Sequence, residues 1–346
     1  MGTATIRAKT LAILVIVVLM ALGQRTLDAT DWAVTNTFHV GGEGGWDYIT
    51  VDPATHWVYV TRSTHTMVID GASGKLIGDI PGQKRSHGVA LVPAAARGFI
   101  TDGGGDGGIM VFDLKTNTVL GTLAALPDAD GIIYDQGPNR VLAVSGDKNA
   151  LMTIDPNVDP KDGKIEAPIE LGGSPEFLAA DGAGKAYINL VDKNMVAVVD
   201  LKQRKVVDRW PVAPGGTPVG MAMDRSKRLL FIGCRNPQKL IVMNADTGKV
   251  VADLPIGVGV DATGFENGQA FASCRDGKLE VAGQTAPGKW DLVQTVATPD
   301  GARTMTVDAE TKTIYLPTAE LEPPAKPGER PKAKPGTFMI VVVSRK

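Results

Sequence analysis

Six ionisable side chains recur along the chain at intervals that indicate equivalent places in a repeated structure. They are Asp47, His87, Asp130, Glu176, Asp261 and Arg303. With Val219 between Glu176 and Asp261, successive positions are 40 to 46 residues apart. If such positions converge on one axis, four carboxylates, a histidine and an arginine meet at one mouth of a central channel. We call these six the mouth residues.

The chemistry of such a cluster is that of a cation site or an anion site. Carboxylate oxygens bind hard divalent cations, and a histidine nitrogen extends the choice to Zn²⁺. The metal ligands would be drawn from Asp47, His87, Asp130, Glu176 and Asp261. An anionic ligand would be held by arginines, namely Arg303 and, as an outer ring, Arg62, Arg235 and Arg275. The alternative is a solvated rim without a ligand, because charged side chains belong on surfaces.

A repeat positions these residues. Its first copy is the segment 46–81, WDYITVDPATHWVYVTRSTHTMVIDGASGKLIGDIP, in which short β-rich runs are separated by turn residues. The same order returns along the chain, and a four-stranded unit of about 40–45 residues has the size of a propeller blade. We therefore predict an all-β fold, a seven-bladed β-propeller of four-stranded blades that occupies residues 30–346 as a single domain.

The last repeat lacks its fourth strand, because the chain ends with residues 337–346, TFMIVVVSRK. The run Trp32–Val40 precedes the first repeat and is the spare strand. We expect it to complete the last blade, since closure removes the open edges that invite aggregation. The Pro-rich segment 320–336 is predicted to form a loop between the second and third strands of that blade.

The first 29 residues have the pattern of an export signal. Two basic residues precede the apolar run Leu11–Leu22, which is shorter than the ~20 residues of a membrane span. Cleavage after Gly23 or Ala29 would leave a periplasmic or secreted protein with no stable membrane span. An uncleaved anchor is the alternative.

Other features narrow the classes of function. The formal net charge of −2 gives no electrostatic case for a nucleic-acid partner. Haem-attachment, P-loop and nucleophile-elbow motifs are absent, so the sequence shows no cofactor other than a candidate divalent metal. Cys234 and Cys274 fall at equivalent positions of adjacent repeats. There we expect a gap wider than the ~4.4–6.8 Å between Cα atoms that a disulfide needs.

The first repeat resembles the YVTN-repeat β-propeller family. The resemblance rests on Tyr59-Val60-Thr61, followed by Ile69-Asp70 and then by Gly74-Lys75. It implies seven blades, export in bacteria and archaea, and binding or surface roles. The fourth position of the signature, usually Asn, is Arg62 here.

Three functions are compatible with these features. The favoured one is a monomeric, non-catalytic binding or interaction propeller whose partner is an unidentified protein or small molecule. A metal-dependent hydrolase of lactonase type, with its metal at the channel mouth, is the first alternative. An accessory protein of a periplasmic redox system is the second.

Overall fold

The structure is a computed structural model that describes residues 32–324, 326 and 329–346. The predicted export signal, residues 1–29, lies outside the described residues. The described chain consists of β-strands and one short 3-10 helix, Pro93–Ala95. No helix in this part of the chain is long and apolar enough to cross a membrane.

The first strand of the described chain is β1 (Trp32–His39), which pairs with a strand near the C-terminus. The next seven strands form one continuous antiparallel sheet. They are β2 (Ile49–Val51), β3 (Trp57–Thr61), β4 (Ser63–Asp70), β5 (Leu76–Val92), β6 (Arg97–Asp102), β7 (Gly108–Asp113) and β8 (Val119–Ala124). The 17-residue β5 spans two repeats, since its first half pairs with β4 and its second half pairs with β6.

Four separate four-stranded antiparallel sheets follow. The first contains β9 (Ala129–Asp135), β10 (Arg140–Ser145), β11 (Ala150–Ile154) and β12 (Ile169–Glu170). The second contains β13 (Pro175–Ala180), β14 (Lys185–Leu190), β15 (Met195–Asp200) and β16 (Lys205–Pro211). The third contains β17 (Pro218–Asp224), β18 (Leu229–Arg235), β19 (Gln238–Asn244) and β20 (Val250–Pro255). The fourth contains β21 (Val260–Glu266), β22 (Gln269–Cys274), β23 (Lys278–Ala286) and β24 (Lys289–Ala297).

The last sheet combines the two ends of the described chain. It is formed by β25 (Thr306–Asp308), β26 (Thr313–Thr318), β29 (Met339–Arg345) and β1, with β1 at its outer edge. The register runs antiparallel from Trp32 opposite Arg345 to His39 opposite Met339. The spare strand of the sequence thus completes the C-terminal sheet.

The Pro-rich segment 320–336 connects β26 to β29. It contains a small hairpin of β27 (Leu321–Glu322) and β28 (Lys332–Ala333). An ion pair of 2.9 Å between Lys334 Nζ and Glu320 Oε2 joins the two ends of the hairpin. The loop is therefore anchored at its base.

The structure explains why the turn between the third and fourth strands of a repeat contains a glycine. Gly74 has φ +72°, and a Cβ built on it would lie 2.3 Å from the ring of Phe38 in β1. Gly248 repeats this arrangement, with φ +69° and a Cβ position 2.2 Å from Trp210. Only glycine adopts this backbone without strain and also admits the aromatic ring above it.

The sheets are stacked through their first strands. Consecutive first strands contact each other, and the last of them, β25, contacts the first, β2. The contacting strands, in order, are β2, β5, β9, β13, β17, β21 and β25. Apolar side chains fill the space between neighbouring sheets, as where Trp32 packs edge-on against Phe271 at 5.0 Å between ring centroids. Repeated four-stranded antiparallel sheets in this arrangement are consistent with a β-propeller.

Both cysteines lie inside the protein. Cys234 is the second-last residue of β18, and Cys274 is the last residue of β22. Both cysteines carry free thiols. Burial raises the pKa of each thiol to about 12. Neutral, buried thiols are unreactive, so they serve packing.

Candidate functional site

The mouth residues lie at the beginnings of the first strands. Asp130, Glu176 and Asp261 are each the second residue of their strand. Asp47 and Arg303 precede β2 and β25 by a short stretch, and His87 lies within β5. The structure brings all six residues into one cluster. At the equivalent position of β17, Val219 contributes a buried apolar side chain instead.

His87 joins the first three mouth residues. Its Nδ1 lies 2.6 Å from Asp47 Oδ2 and 3.5 Å from Asp130 Oδ1. Only 12% of the His87 side chain is exposed, and its Nε2 is buried with no hydrogen-bond partner among the described residues. One histidine nitrogen and two carboxylate oxygens therefore lie within 4.8 Å of one another.

Asp261 is the centre of the opposite half of the mouth. Arg303 Nε donates to Asp261 Oδ2 at 2.6 Å, and Arg235 Nη2 donates to Asp261 Oδ1. Arg303 Nη2 also donates to the Trp46 carbonyl at 3.0 Å and lies 3.8 Å from Asp47 Oδ1. The charge of Asp261 is thus met by two guanidinium groups. Asp130 and Glu176 form no ion pair with an arginine of the described part of the chain.

Burial and mutual repulsion act on those two carboxylates. Burial, followed by the negative charge of Asp261, raises the pKa of Glu176 from 4.5 to about 7. Burial also raises the pKa of Asp130 well above its ordinary value, against the opposing charge of His87. For His87 itself, burial lowers the pKa, but the Asp47 hydrogen bond and the charge of Asp130 outweigh it and raise the pKa. Burial and neighbouring charges therefore favour the protonated forms of Glu176, Asp130 and His87 relative to the same groups in water.

Replacing Glu176 by Gln is expected to increase the free energy of unfolding at pH 8 by ~1–3 kcal/mol and to change it little at pH 4. The folded-state pKa of about 7 exceeds the ordinary 4.5. The stability from this group is therefore fully present below pH 4.5 and is lost as the pH rises through 7. Gln cannot ionise and removes that loss. Urea denaturation of both proteins from pH 4 to pH 8 measures the difference.

The control is Glu310→Gln, at an exposed position in the turn before β26. Its difference from wild type should not depend on pH. If Glu176→Gln were equally destabilising at pH 4 and pH 8, the raised pKa of Glu176 would be refuted.

An aromatic pair lies beneath the charged mouth. Tyr48 is 7% exposed, and its ring packs on that of Phe177 with 4.6 Å between the ring centroids. Tyr48 precedes β2 whereas Phe177 belongs to β13, so the pair bridges two non-adjacent first strands. Burial and the charges of Glu176, Asp130, Asp261 and Asp47 raise the pKa of Tyr48. The Tyr48 hydroxyl therefore stays neutral and lies within reach of the charges of the four carboxylates.

On the other side of this pair, Phe177 lines a cavity of about 430 Å³ bounded by first strands. Its lining includes Thr50, Ala90, Ile133, Gly264 and Thr306 from the first strands. These five residues are small or apolar, in contrast to the mouth residues. Asp52 is the one carboxylate among the residues that line this cavity, whereas the mouth residues include four.

Arg62 does not join the mouth. It is 1% exposed, and its guanidinium donates to the carbonyls of the loop Gly41–Gly45 and to Met67 Sδ. It also covers the ring of Phe338, 3.7 Å from the centroid. Every N–H of this side chain is used within the protein, so Arg62 leaves the set of ligand-binding candidates.

The other two outer arginines lie closer to the mouth. Arg235 is held by Asp261 and by the Val260 carbonyl, to which its Nε donates at 3.0 Å. Arg275 lines a pocket of about 690 Å³ beside Arg303 and Trp46. The predicted outer ring thus divides into a buried structural arginine, one that neutralises Asp261 and one that faces a pocket.

Sequence reasoning missed the residues that fix the mouth backbone. Thr61 Oγ1 donates to the His87 carbonyl at 2.8 Å, and Asn189 Nδ2 donates to the Val219 carbonyl at 2.8 Å. Ser273 Oγ donates in the same way to the Arg303 carbonyl. Each donor comes from the second strand of one repeat and holds the first strand of the next. The Thr of Tyr59-Val60-Thr61 was the available signal, because a repeated hydroxyl inside an apolar strand requires a partner.

Comparisons with known proteins identify a fold. Protein-family models and curated protein sequences give no match to this chain. Many solved structures do match, and among them is hydrazine synthase of Kuenenia stuttgartiensis, with a TM-score of 0.67 and 13% sequence identity. The superposition covers 80% of this chain and 94% of that chain. At this identity the likeness concerns the fold alone, and it supports a propeller-like scaffold of repeated four-stranded sheets.

Proposed function

We propose that this chain is an exported, seven-bladed propeller of the YVTN-repeat type that binds a divalent cation at its charged mouth. The ligands are Asp47, His87 and Asp130. The propeller-like scaffold suits a binding role, because it holds side chains from several sheets in one place. The repeat pattern and the apolar run Leu11–Leu22 support the blade number and export.

The observation that carries the proposal is the convergence of His87 Nδ1 with one oxygen each of Asp47 and Asp130. Ligand atoms that share a metal at about 2.0–2.2 Å lie roughly 3 Å apart, and the present separations of 2.6 and 3.5 Å bracket that value. A mixed nitrogen and oxygen set suits Zn²⁺ or Mn²⁺ better than Ca²⁺, which prefers oxygen ligands alone.

Protons compete with the cation at this site. Ligand atoms must be deprotonated to bind a metal, and His87 and Asp130 both have raised pKa values. The affinity should therefore fall when the pH is lowered from 7.5 to 6. The charges of Asp47 and Asp261 act on both Glu176 and the Tyr48 hydroxyl.

The test is isothermal titration calorimetry with Zn²⁺ and, separately, Mn²⁺, on the chain freed of metal by chelation. Wild type should bind one ion per chain, and Asp130→Asn should weaken binding by at least about tenfold, or 1.4 kcal/mol. Asp208→Asn, at an exposed position of β16, is the control and should bind as wild type does. Equal affinity of wild type and Asp130→Asn, or no stoichiometric binding, would remove the site.

Metal-dependent hydrolysis is a second candidate, and the pKa of about 7 for Glu176 favours it. A carboxylate that titrates near neutral pH beside a bound cation is suited to act as a general base. If the chain is such a hydrolase, Zn²⁺-loaded wild type should open simple lactones, and Glu176→Gln should lower kcat while keeping the metal. Lack of any metal-dependent turnover on a lactone panel would leave binding as the function.

A further inference from the structure

A pocket lies beside the mouth, outside the proposed cation ligands. It has a volume of about 690 Å³, within the range of small-molecule sites. One wall is formed by the ends of two repeats, with Trp46, Arg275 and Arg303. The other wall is the base of the Pro-rich loop, which includes Leu321, Pro323 and Pro331.

The polar end of this pocket has unused hydrogen-bond donors. Arg275 forms no side-chain hydrogen bond or ion pair with any described residue, although it is only partly exposed. Arg303, Arg330 and Arg235 lie near enough to act on it by charge. The Nε1 of Trp46 is buried and also has no partner among the described residues. Asp261 acts on Arg275 with the opposite charge, but it is already met by Arg303 and Arg235. The guanidinium of Arg275, without an acceptor among the described residues, therefore suits an anion.

The remaining lining of the pocket is largely apolar. Val258 contributes a side chain that is 58% exposed, and Leu321 packs on Gly301, where a built Cβ would lie 3.1 Å from Leu321 Cδ1. Asp276, Asp300 and Glu322 also line the pocket. Asp276 Oδ2 is paired with Lys278 Nζ at 2.9 Å, whereas Asp276 Oδ1 is buried without a hydrogen-bond partner among the described residues. The occupant must therefore place its negative charge at the arginine end and its apolar body against the loop.

We propose that this pocket binds a small carboxylate with an apolar body, whose carboxylate pairs with Arg275. The planar guanidinium can form two parallel hydrogen bonds with a carboxylate. Leu321 and the prolines of the loop cover the hydrocarbon part. The pocket shares none of the three residues proposed as cation ligands.

The test uses three probe ligands in calorimetric titrations of the full chain. 2-Naphthoate carries both charge and apolar body, 2-naphthamide lacks the charge, and acetate lacks the body. We expect 2-naphthoate to bind one per chain and at least about tenfold more tightly than either of the others. If 2-naphthamide bound as tightly, or if 2-naphthoate did not bind, the assignment would be overturned.

Two variants locate the binding in the pocket. Arg275→Met and Leu321→Asp should each weaken 2-naphthoate binding at least about tenfold, and the second lies on a loop outside the core. Arg225→Met, at a side chain that is 52% exposed and outside the pocket lining, should have no effect. Unchanged affinity in either pocket variant would refute the proposal. Asp130→Asn separates the two sites, because it should lose Zn²⁺ and keep 2-naphthoate.

Discussion

Removal of residues 30–41 is expected to abolish cooperative thermal unfolding of this chain. Trp32, which is 2% exposed, donates from Nε1 to Gln269 Oε1 at 2.9 Å, and Phe38 is 7% exposed. Truncating a buried Phe or Trp costs about 3–5 kcal/mol each, and the edge of β29 would lose its partner strand as well. Together these losses approach the whole stability of a typical domain, ~5–15 kcal/mol. Near-UV circular dichroism followed on heating measures the transition.

The control for this truncation is a chain that begins at residue 30, which keeps β1. It should unfold cooperatively. Adding a synthetic peptide of residues 30–41 to the shortened chain should restore part of the transition, because the strand can pair in trans. A shortened chain that melts cooperatively at the same Tm as the control would contradict the role assigned to β1.

Replacing Arg62 by Met is expected to lower the free energy of unfolding by roughly 2–4 kcal/mol. Met fills a similar volume over Phe338 but leaves the carbonyls of the loop Gly41–Gly45 without their shared donor. Arg62→Lys keeps the charge with fewer, differently directed donors and should recover only part of the loss. Urea denaturation at pH 7 measures both variants.

The matched control is Lys227→Met, at an exposed position whose side chain makes no hydrogen bond or ion pair with any described residue. Surface changes of this kind usually stay within about 0.5 kcal/mol. If Arg62→Met were as stable as wild type, or if it lost Zn²⁺ binding while folded, Arg62 would belong to the ligand site rather than to the scaffold.

Much of the fold was accessible from the sequence because each repeat has the same local signals. Runs rich in β-branched residues, turns that begin with Asp and a turn glycine such as Gly74 recur along the chain. These signals predict four-stranded units. The spare run Trp32–Val40 was visible by elimination, and it does pair with the last strand. The continuity of β5 across two repeats was not predictable, since Pro81 and Gly82 in its middle are typical of a turn rather than a strand.

The candidate site was only partly accessible. The spacing of the mouth residues predicts that they share one end of the first strands, because equivalent positions of a repeat are equivalent in space. Arg62 was misleading, since its position within the repeat matches a loop residue while its side chain turns into the carbonyls of Gly41–Gly45. Tyr48 gave no signal, because an aromatic residue beside a strand usually packs in the core. Its place among the carboxylates depends on contacts between distant repeats.

The most direct test of the cation site is anomalous diffraction from crystals grown with Zn²⁺ and measured on both sides of the zinc absorption edge. The account predicts a single strong peak at the mouth, about 2.0–2.2 Å from His87 Nδ1 and from one oxygen each of Asp47 and Asp130. The same peak should be lost in Asp130→Asn crystals. A zinc peak elsewhere on the protein, or none at the mouth of a fully loaded crystal, would contradict the account.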